Sequence, residues 1–231
     1  MIEGFYNSDC MDVMKSMEDG SVDFTLTDIP YDFAERTRNR KDPIRDISYG
    51  AANVITFDLV EFLSEVHRVT KNGGLIFCGW NQFSDVGKFF FEKDDSIVRP
   101  IVWVKDNPNP MNGKVTYLKA TEFAVWFKFN GVNAPFHAEF KHNVFNYPVQ
   151  HGTDKIRSHP TKKNLDMFKD IILDNTDPGQ VVFDPCCGSG TTIEACLLTN
   201  RKFKACELDP KYYSEAELYL ESNYGMLLAM N

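Results

Sequence analysis

An α/β fold, a mainly parallel twisted sheet with helices on both faces, is what this 231-residue sequence predicts. Short apolar runs alternate with amphipathic stretches along most of the chain, the pattern that packs helices against a sheet. Two of these runs end on an aspartate, in "TLTDIPYDF" (25–33) and in "VVFDPCCGSG" (181–190). Sheets of this class bind ligands at the carboxyl ends of their strands. With 43% hydrophobic and 25% charged residues, the chain suits one domain with a sizeable core.

Each element follows from its local pattern. Val22–Thr27 reads as a short buried strand. Residues 32–52 are polar and aperiodic, a loop long enough to suggest function. Phe57, Val60, Leu63, Val66 and Val69 recur at helical spacing between Phe57 and Thr70. "KNGG" (71–74) is expected to break that helix, with the next strand at Leu75–Trp80. Asn81–Phe91 reads as a helix, "IVRPIVWVK" (97–105) as a strand around a proline, and "NPNPMNG" (107–113) as a loop. "TEFAVWFKF" (121–129) alternates and is aromatic-rich, hence a strand. Residues 130–163 show little periodicity and read as an insertion rather than core. Leu165, Phe168, Ile171 and Ile172 mark a helix closed by "NTDPGQ". A strand (Val181–Phe183), a glycine turn, a helix (Thr191–Thr199), a strand (Phe203–Cys206) and a helix from about Lys211 follow.

Composition narrows the function classes. No basic region followed by an apolar run opens the chain, and no apolar stretch approaches the ~18 residues of a membrane span. An intracellular protein without membrane contact is expected. Six cysteines form no CxxC pair and sit at no finger-like spacing from histidines, so a metal site is not expected and the thiols read as small buried hydrophobes. His137 and His142 do not alter that. Net charge is −8, yet the span from Arg99 to Lys163 holds ten lysines and arginines against four acids. A basic middle could meet a phosphate backbone, although on charge alone a solvated surface is the favoured reading.

The two aspartate-ended strands carry the chemistry. Ionised Asp28 accepts hydrogen bonds and donates none. Pro30 restrains its own φ and biases Ile29 towards an extended conformation, and Tyr31 offers a flat face. Together they suit a planar group bearing an amine; a helix cap followed by a loop is the plainer alternative. In residues 181–210, Gly188 and Gly190 allow close approach to the backbone, and the following helix opens with free N–H groups. Glu207 ends the next strand 19 positions beyond Gly188, where an acid can hold ribose hydroxyls. An adenosine-containing cofactor is indicated, against the alternative of a glycine turn used only for packing.

"DPCCGSGTT" (184–192) with "ELDP" (207–210) resembles the S-adenosyl-L-methionine motif of the amino-group (N6-adenine/N4-cytosine) DNA methyltransferases. "DIPY" (28–31) resembles their catalytic tetrapeptide, usually Asp-Pro-Pro-Tyr. "SDCMDVMKSMEDGSVDFTLTDIPY" (8–31) resembles the block around it, and "HPTKK" (159–163) the segment, commonly His-Pro-Thr-Gln-Lys-Pro, that packs against the cofactor. The catalytic motif comes first and the cofactor motif last, the circularly permuted order of the β-type enzymes. The resemblance implies a Rossmann-like methyltransferase fold forming a single catalytic domain over 1–231. It places Asp184, Gly188, Gly190 and Thr191 at the methionine end of the cofactor, Cys186 beside it and Glu207 at the ribose, with Asp209 also among the cofactor-binding residues. Asp9 and Cys10 would flank the adenine, with His159, Thr161 and Lys162 closing the pocket. Asp28 and the Ile29 carbonyl would accept from the target amine, Pro30 would restrain them, and Tyr31 would stack on the base. Ile29 and Cys186 depart from the family pattern, which has a proline and often an aromatic there.

The implied reaction moves the methyl group of S-adenosyl-L-methionine to the N6 amine of an adenine flipped out of double-stranded DNA. Two acceptors at the amine hydrogens favour a nitrogen whose lone pair faces the sulfonium methyl, so positioning does the catalysis. Cytosine-N4 methylation and a catalytically weak DNA-binding relative are the alternatives; a dinucleotide oxidoreductase would not need "DIPY". Residues 130–158, a short insertion, form the candidate target-recognition region together with the loop after Tyr31. Arg36, Arg38, Arg40, Lys141, Lys155 and Arg157 are the candidate DNA contacts. A cytoplasmic enzyme of a bacterium or its phage is expected, within or outside a restriction-modification system, and the sequence leaves open whether it forms a homodimer.

Overall fold

The computed structural model describes residues 2–31, 57–93, 96–110, 114, 117–150, 157–158 and 162–229. In chain order the elements are β1 (Phe5–Asn7), α1 (Cys10–Ser16), β2 (Val22–Asp28), α2 (Leu59–Val69), β3 (Thr70–Cys78), α3 (Phe83–Glu92), β4 (Ile97–Val104), β5 (Thr121–Lys128), β6 (Val144–Asn146), α4 (Leu165–Asn175), β7 (Val181–Asp184), α5 (Thr191–Leu198), β8 (Lys202–Glu207) and α6 (Pro210–Leu228). Several helices start where an acid or amide can take up free backbone N–H groups. Asp9 accepts from Met11, Asp58 from Val60 and Glu61, Asn164 from Met167, and Asp209 from Lys211 and Tyr212, with Pro210 at the first turn.

The strands form one eight-stranded sheet in the order β1-β8-β7-β2-β3-β5-β4-β6. All neighbours pair in parallel except at β5, which runs against both β3 and β4. Alternation along the strands sorts the core into two layers. Phe24, Leu26, Leu75 and Phe77 pack with Met167, Phe168 and Ile171 of α4, Ile193 and Leu197 of α5 and Leu220 of α6. Val22, Ile76 and Cys78 face the other way, onto Met14 of α1, Phe62, Leu63 and Val66 of α2 and Phe90 of α3. Helices therefore cover both faces, as the alternation predicts. No helix among the described residues is long and apolar enough to cross a membrane.

Two local expectations are corrected. "KNGG" does not break the chain between helix and strand; it lies inside β3. Gly73 has φ of +152°, and a Cβ there would stand 2.3 Å from the Phe127 carbonyl oxygen on β5. These glycines serve close strand approach rather than a turn. Residues 130–163 are not simply an insertion. β6 extends the sheet beside β4, Phe145 is buried in the core, and the His137 N–H donates to the Asp174 carbonyl at 2.7 Å. β1 and α1 went unseen because three and seven residues are too few to show a period.

Pro100 shows why a proline can sit within a strand. The Val102 N–H, two residues on and on the same edge of β4, donates outward to Asn143, and β6 pairing begins only at Val102. The N–H that Pro100 lacks would have pointed to an edge without a strand partner.

The glycines generate a paired prediction. Gly73→Ala forces β3 and β5 apart and should cost about 1–3 kcal/mol, lowering Tm by roughly 2–12 °C in a chain of this size. Gly87→Ala on α3, whose Cβ meets only Val125 at 4.0 Å, should instead stabilise by about 0.5–1 kcal/mol. Thermal unfolding of the two variants beside the parent chain checks both signs.

Candidate active site

Parallel pairing of β2 with β7 matches Phe24 with Val182 and Thr25 with Phe183. Asp28 and Asp184 end these two strands, so residues 156 positions apart in sequence meet at one edge of the sheet. β8 adds Glu207 on the far side of β7. β5 runs the other way, so its beginning reaches the same edge and contributes Glu122.

Around Asp28 lies a closed set of charges. Lys163 Nζ stands 2.7 Å from Asp28 Oδ2 and 2.7 Å from Glu122 Oε2. Glu122 Oε2 also accepts from the Tyr31 hydroxyl at 3.1 Å, and its other oxygen from Lys105 Nζ at 2.6 Å. The Lys163 side chain is only 7% exposed and that of Glu122 12%. Lys119 and Lys163 each hold Nζ 5.4 Å from the Tyr31 ring centroid. Asp28 Oδ1 is buried with no hydrogen-bond partner among the described residues. Ile29 is pinned by its N–H to the Phe77 carbonyl at 3.1 Å. Gln82 braces the turn, donating to the Pro30 carbonyl at 3.1 Å and accepting from the Gly79 N–H at 3.0 Å.

Charge states follow from this packing. Burial raises the Asp28 pKa above the ordinary carboxylate value, with Lys163 opposing and Glu122 adding to the rise. Burial works against charge on Lys163, but Asp28 and Glu122 outweigh it and keep the ammonium protonated. Burial also disfavours the Glu122 anion, yet Lys163 and Lys105 prevail and hold its pKa down to about 2. Burial, then Asp28 and Glu122, push the Tyr31 hydroxyl well above its usual range, so it remains a donor.

The second half of the site is built on the turn after β7. Asp184 Oδ1 accepts from the Cys186 N–H at 3.1 Å and Oδ2 from the Thr192 hydroxyl. Its pKa is pushed up to about 7 by burial, against those hydrogen bonds. Glu207 accepts from the Gly188 N–H at 2.9 Å and the Asp209 N–H at 2.8 Å, and burial raises its pKa. Gly190 has φ of +78°, and a Cβ there would meet Ala216 and Leu220 of α6 at 3.4 Å. It starts α5 without a side-chain cap, beside buried Thr191. Cys186 lies against Cys10, whose thiol is the largest cause of the raised Cys186 pKa. The two ends of the chain thus meet at this turn. Cys10 is buried at the start of α1, capped by Asp9.

Not every expected residue takes its expected place. Arg157 does not face DNA. Its guanidinium is 1% exposed, lies 2.8 Å from Glu194 Oε2 on α5, and stacks 3.3 Å from the Tyr219 ring centroid. Lys141 is engaged by Asp174 of α4 at 2.6 Å, with Asp170 at 3.9 Å. Asp209 caps α6, and both Asp184 oxygens accept hydrogen bonds within the turn. Lys162 reaches the Tyr219 ring at 5.8 Å, while its neighbour Lys163 enters the charge cluster at Asp28. Arg36, Arg38, Arg40, Lys155, His159 and Thr161 lie outside the described residues. Sequence reading missed Lys163, Glu122, Lys105 and Gln82. For Lys163 the signal was present in the paired lysines of "HPTKK", only one of which can turn inward from extended chain. Among the described residues no group of three or more His, Cys, Asp or Glu side chains could hold a metal ion.

Comparison with known proteins agrees with this geometry. The chain is 24% identical over 228 residues to the type II methyltransferase M2.MboI of Moraxella bovis, covering 90% of this chain and 83% of that protein. It is 27% identical to the type II methyltransferase M.BglII of Bacillus subtilis, covering 90% of this chain and 66% of that one. Among solved structures, the complex of M1.HpyAVI with SAM superposes with a TM-score of 0.72 at 26% identity, covering 94% of this chain and 98% of that one. The cytosine-N4-specific PvuII DNA methyltransferase, at 15% identity, shares the fold with a TM-score of 0.70. The profile of the N6/N4 methyltransferase family, described as DNA methylase, matches residues 22–218, which hold both aspartate-ended strands and every member of the charge cluster. The chain belongs to this family of amino-group DNA methyltransferases.

Proposed function

We propose that the protein methylates the N6 amine of adenine in double-stranded DNA with S-adenosyl-L-methionine as donor. The observation that carries the reading is the unpartnered oxygen of Asp28. A buried acceptor without a donor costs about 1–3 kcal/mol, and an amine hydrogen is the donor that the family's chemistry brings to it. The other oxygen is held by Lys163, so one acceptor is kept for the target. The Ile29 carbonyl supplies a second acceptor, and Tyr31, its hydroxyl fixed on Glu122, presents a ring for the base to stack on. Adenine is favoured over cytosine because Asp stands at position 28, where cytosine-N4 enzymes more often carry Ser. A 24% identical relative from Escherichia coli is named the DNA adenine methyltransferase YhdJ.

The residues of the second half fit the donor. Gly188, Gly190 and Thr191 open the turn onto the uncapped start of α5, which suits a carboxylate. Glu207 suits ribose hydroxyls, and Asp9 with Cys10 adjoins the same turn. Asp184 acts as a positioning residue, through Thr192 and Cys186. When bound, S-adenosyl-L-methionine supplies an electrophilic methyl group on a sulfonium. Asp28 and Ile29 hold the amine hydrogens so that the nitrogen lone pair is available. Asp28 is then the base that takes the proton the methylated nitrogen sheds. Arg36, Arg38, Arg40 and Lys155 complete the reading as DNA contacts.

The deciding test is incubation with labelled donor and unmethylated genomic DNA, then digestion to nucleosides and mass spectrometry. N6-methyladenine is expected. N4-methylcytosine would overturn the base assignment, and no methylated base with donor binding intact would favour a DNA-binding relative of low activity. Asp28→Asn should lower kcat by roughly 10²–10³-fold and leave donor affinity, read by calorimetry, within about twofold. Because burial raises the Asp28 pKa and transfer needs the carboxylate, kcat should fall on acidification beginning at higher pH than an ordinary aspartate requires. A pH–rate profile checks this limb.

A further inference from the structure

Glu122 has no part in the motifs that identify the family's catalytic strand or its cofactor turn, yet it touches Lys163, the ion-pair partner of Asp28, and Tyr31. One of its oxygens lies 2.7 Å from Lys163 Nζ and 3.1 Å from the Tyr31 hydroxyl. The other lies 2.6 Å from Lys105. We propose that Glu122 is a positioning residue for methyl transfer, holding Lys163 on one oxygen of Asp28 and Tyr31 in the pocket wall so that the other Asp28 oxygen is left for the target amine. The inference rests on the methyltransferase reading above.

Lys163 has three N–H donors and sits in a nearly closed space. Two of them are directed by carboxylates on opposite sides, Asp28 from β2 and Glu122 from β5. Without Glu122, the ammonium has one anion left and can swing across both Asp28 oxygens, closing the acceptor that the amine requires. Glu122 also fixes the tyrosine. The Tyr31 hydroxyl donates to it, and a ring anchored at its far end presents one face reproducibly. Lys105 completes the balance, with two carboxylates facing two ammonium groups, so no net charge is buried. Among the described strands β5 alone is reversed, and its reversal is what brings a residue from its beginning to the edge where the other strands end.

A purely structural Glu122 would show itself through stability, so the test separates stability from chemistry. Glu122→Gln keeps an acceptor for Tyr31 and removes the charge that directs Lys163. The expected result is a fall in kcat of roughly 10- to 100-fold, with donor Kd by calorimetry and KM for DNA within about threefold of the parent. A second variant, Glu122→Gln with Lys105→Met, removes the ammonium left without its anion. Its Tm should return towards that of the parent while kcat remains low. A 2-aminopurine at the target position reports base extrusion in each variant, and its fluorescence should still rise on binding, with a broadened lifetime distribution for a base that is extruded but loosely held. The proposal is overturned if Glu122→Gln retains kcat within threefold of the parent, or if kcat recovers together with Tm in the double variant. A parent chain that methylates no DNA overturns the methyltransferase reading itself, a result distinct from either.

Discussion

The pairing of β2 with β7 is the constraint on which the site depends. Only two residue pairs lie in register, Phe24 with Val182 and Thr25 with Phe183, yet they set one aspartate-ended strand beside another. Asp23 secures the register from below, accepting from the Val181 N–H at 2.9 Å and from Gln180 at 3.4 Å. A slip of one residue would turn every side chain of β2 to the other face. Leu26 would leave its layer of core, and Asp28 would leave the cluster of Lys163 and Glu122. Because this contact is made through space, the order of the motifs along the chain is immaterial to the chemistry. A permuted sequence arrives at the same pair of strand ends.

The two aspartates of that pair have opposite duties, and the difference lies in their hydrogen bonds. Asp184 spends both oxygens on its own turn, on the Cys186 N–H and the Thr192 hydroxyl. No cation among the described residues is seen to oppose its burial, which pushes its pKa up to about 7. Asp28 has a cation and keeps one oxygen unspent. Elsewhere the described buried charges are held by several contacts each. Glu194 takes Arg157 at 2.8 Å and the hydroxyls of Tyr219 at 3.0 Å and Tyr224 at 2.7 Å. Arg201 is held by Thr176 and by the Thr199 carbonyl. The open oxygen of Asp28 differs from these, a buried carboxylate oxygen with no partner among the described residues, and it is the acceptor on which the proposed reaction draws.

What was legible in the sequence is what local pattern can carry. Strand–turn–helix context around Asp184 and the acid–proline–tyrosine ending of β2 were both readable, because each is written within a few consecutive residues. What stayed hidden depends on partners far away. Glu122 looks like one acid in an aromatic strand until β5 is known to run backwards. Arg157 reads as surface charge until α5 presents a buried carboxylate to it. Gly73 and Gly74 carry the composition of a turn, and only the 2.3 Å approach of the Phe127 carbonyl to a Cβ at Gly73 reveals a packing role. Lys141 belongs with these, since its ion pair with Asp174 crosses 33 positions of chain.

Ile29 illustrates how a departure from a family pattern can be read physically. A proline at this position would rigidify the backbone by its ring but would have no N–H. Ile29 has one, and donates it to Phe77 at 3.1 Å, which carries the β2–β3 hydrogen bonding one residue past Asp28. Its side chain is 1% exposed and lies within the core layer of Phe62, Val66 and Phe90. Pro30 still restricts the conformation of the residue before it, and Gln82 holds the Pro30 carbonyl from the other side. The substitution therefore replaces one restraint with two, a hydrogen bond and a buried side chain. The carbonyl that the mechanism assigns to position 29 remains on backbone that is fixed before and after it, and the departure by itself gives no reason to expect a weaker enzyme.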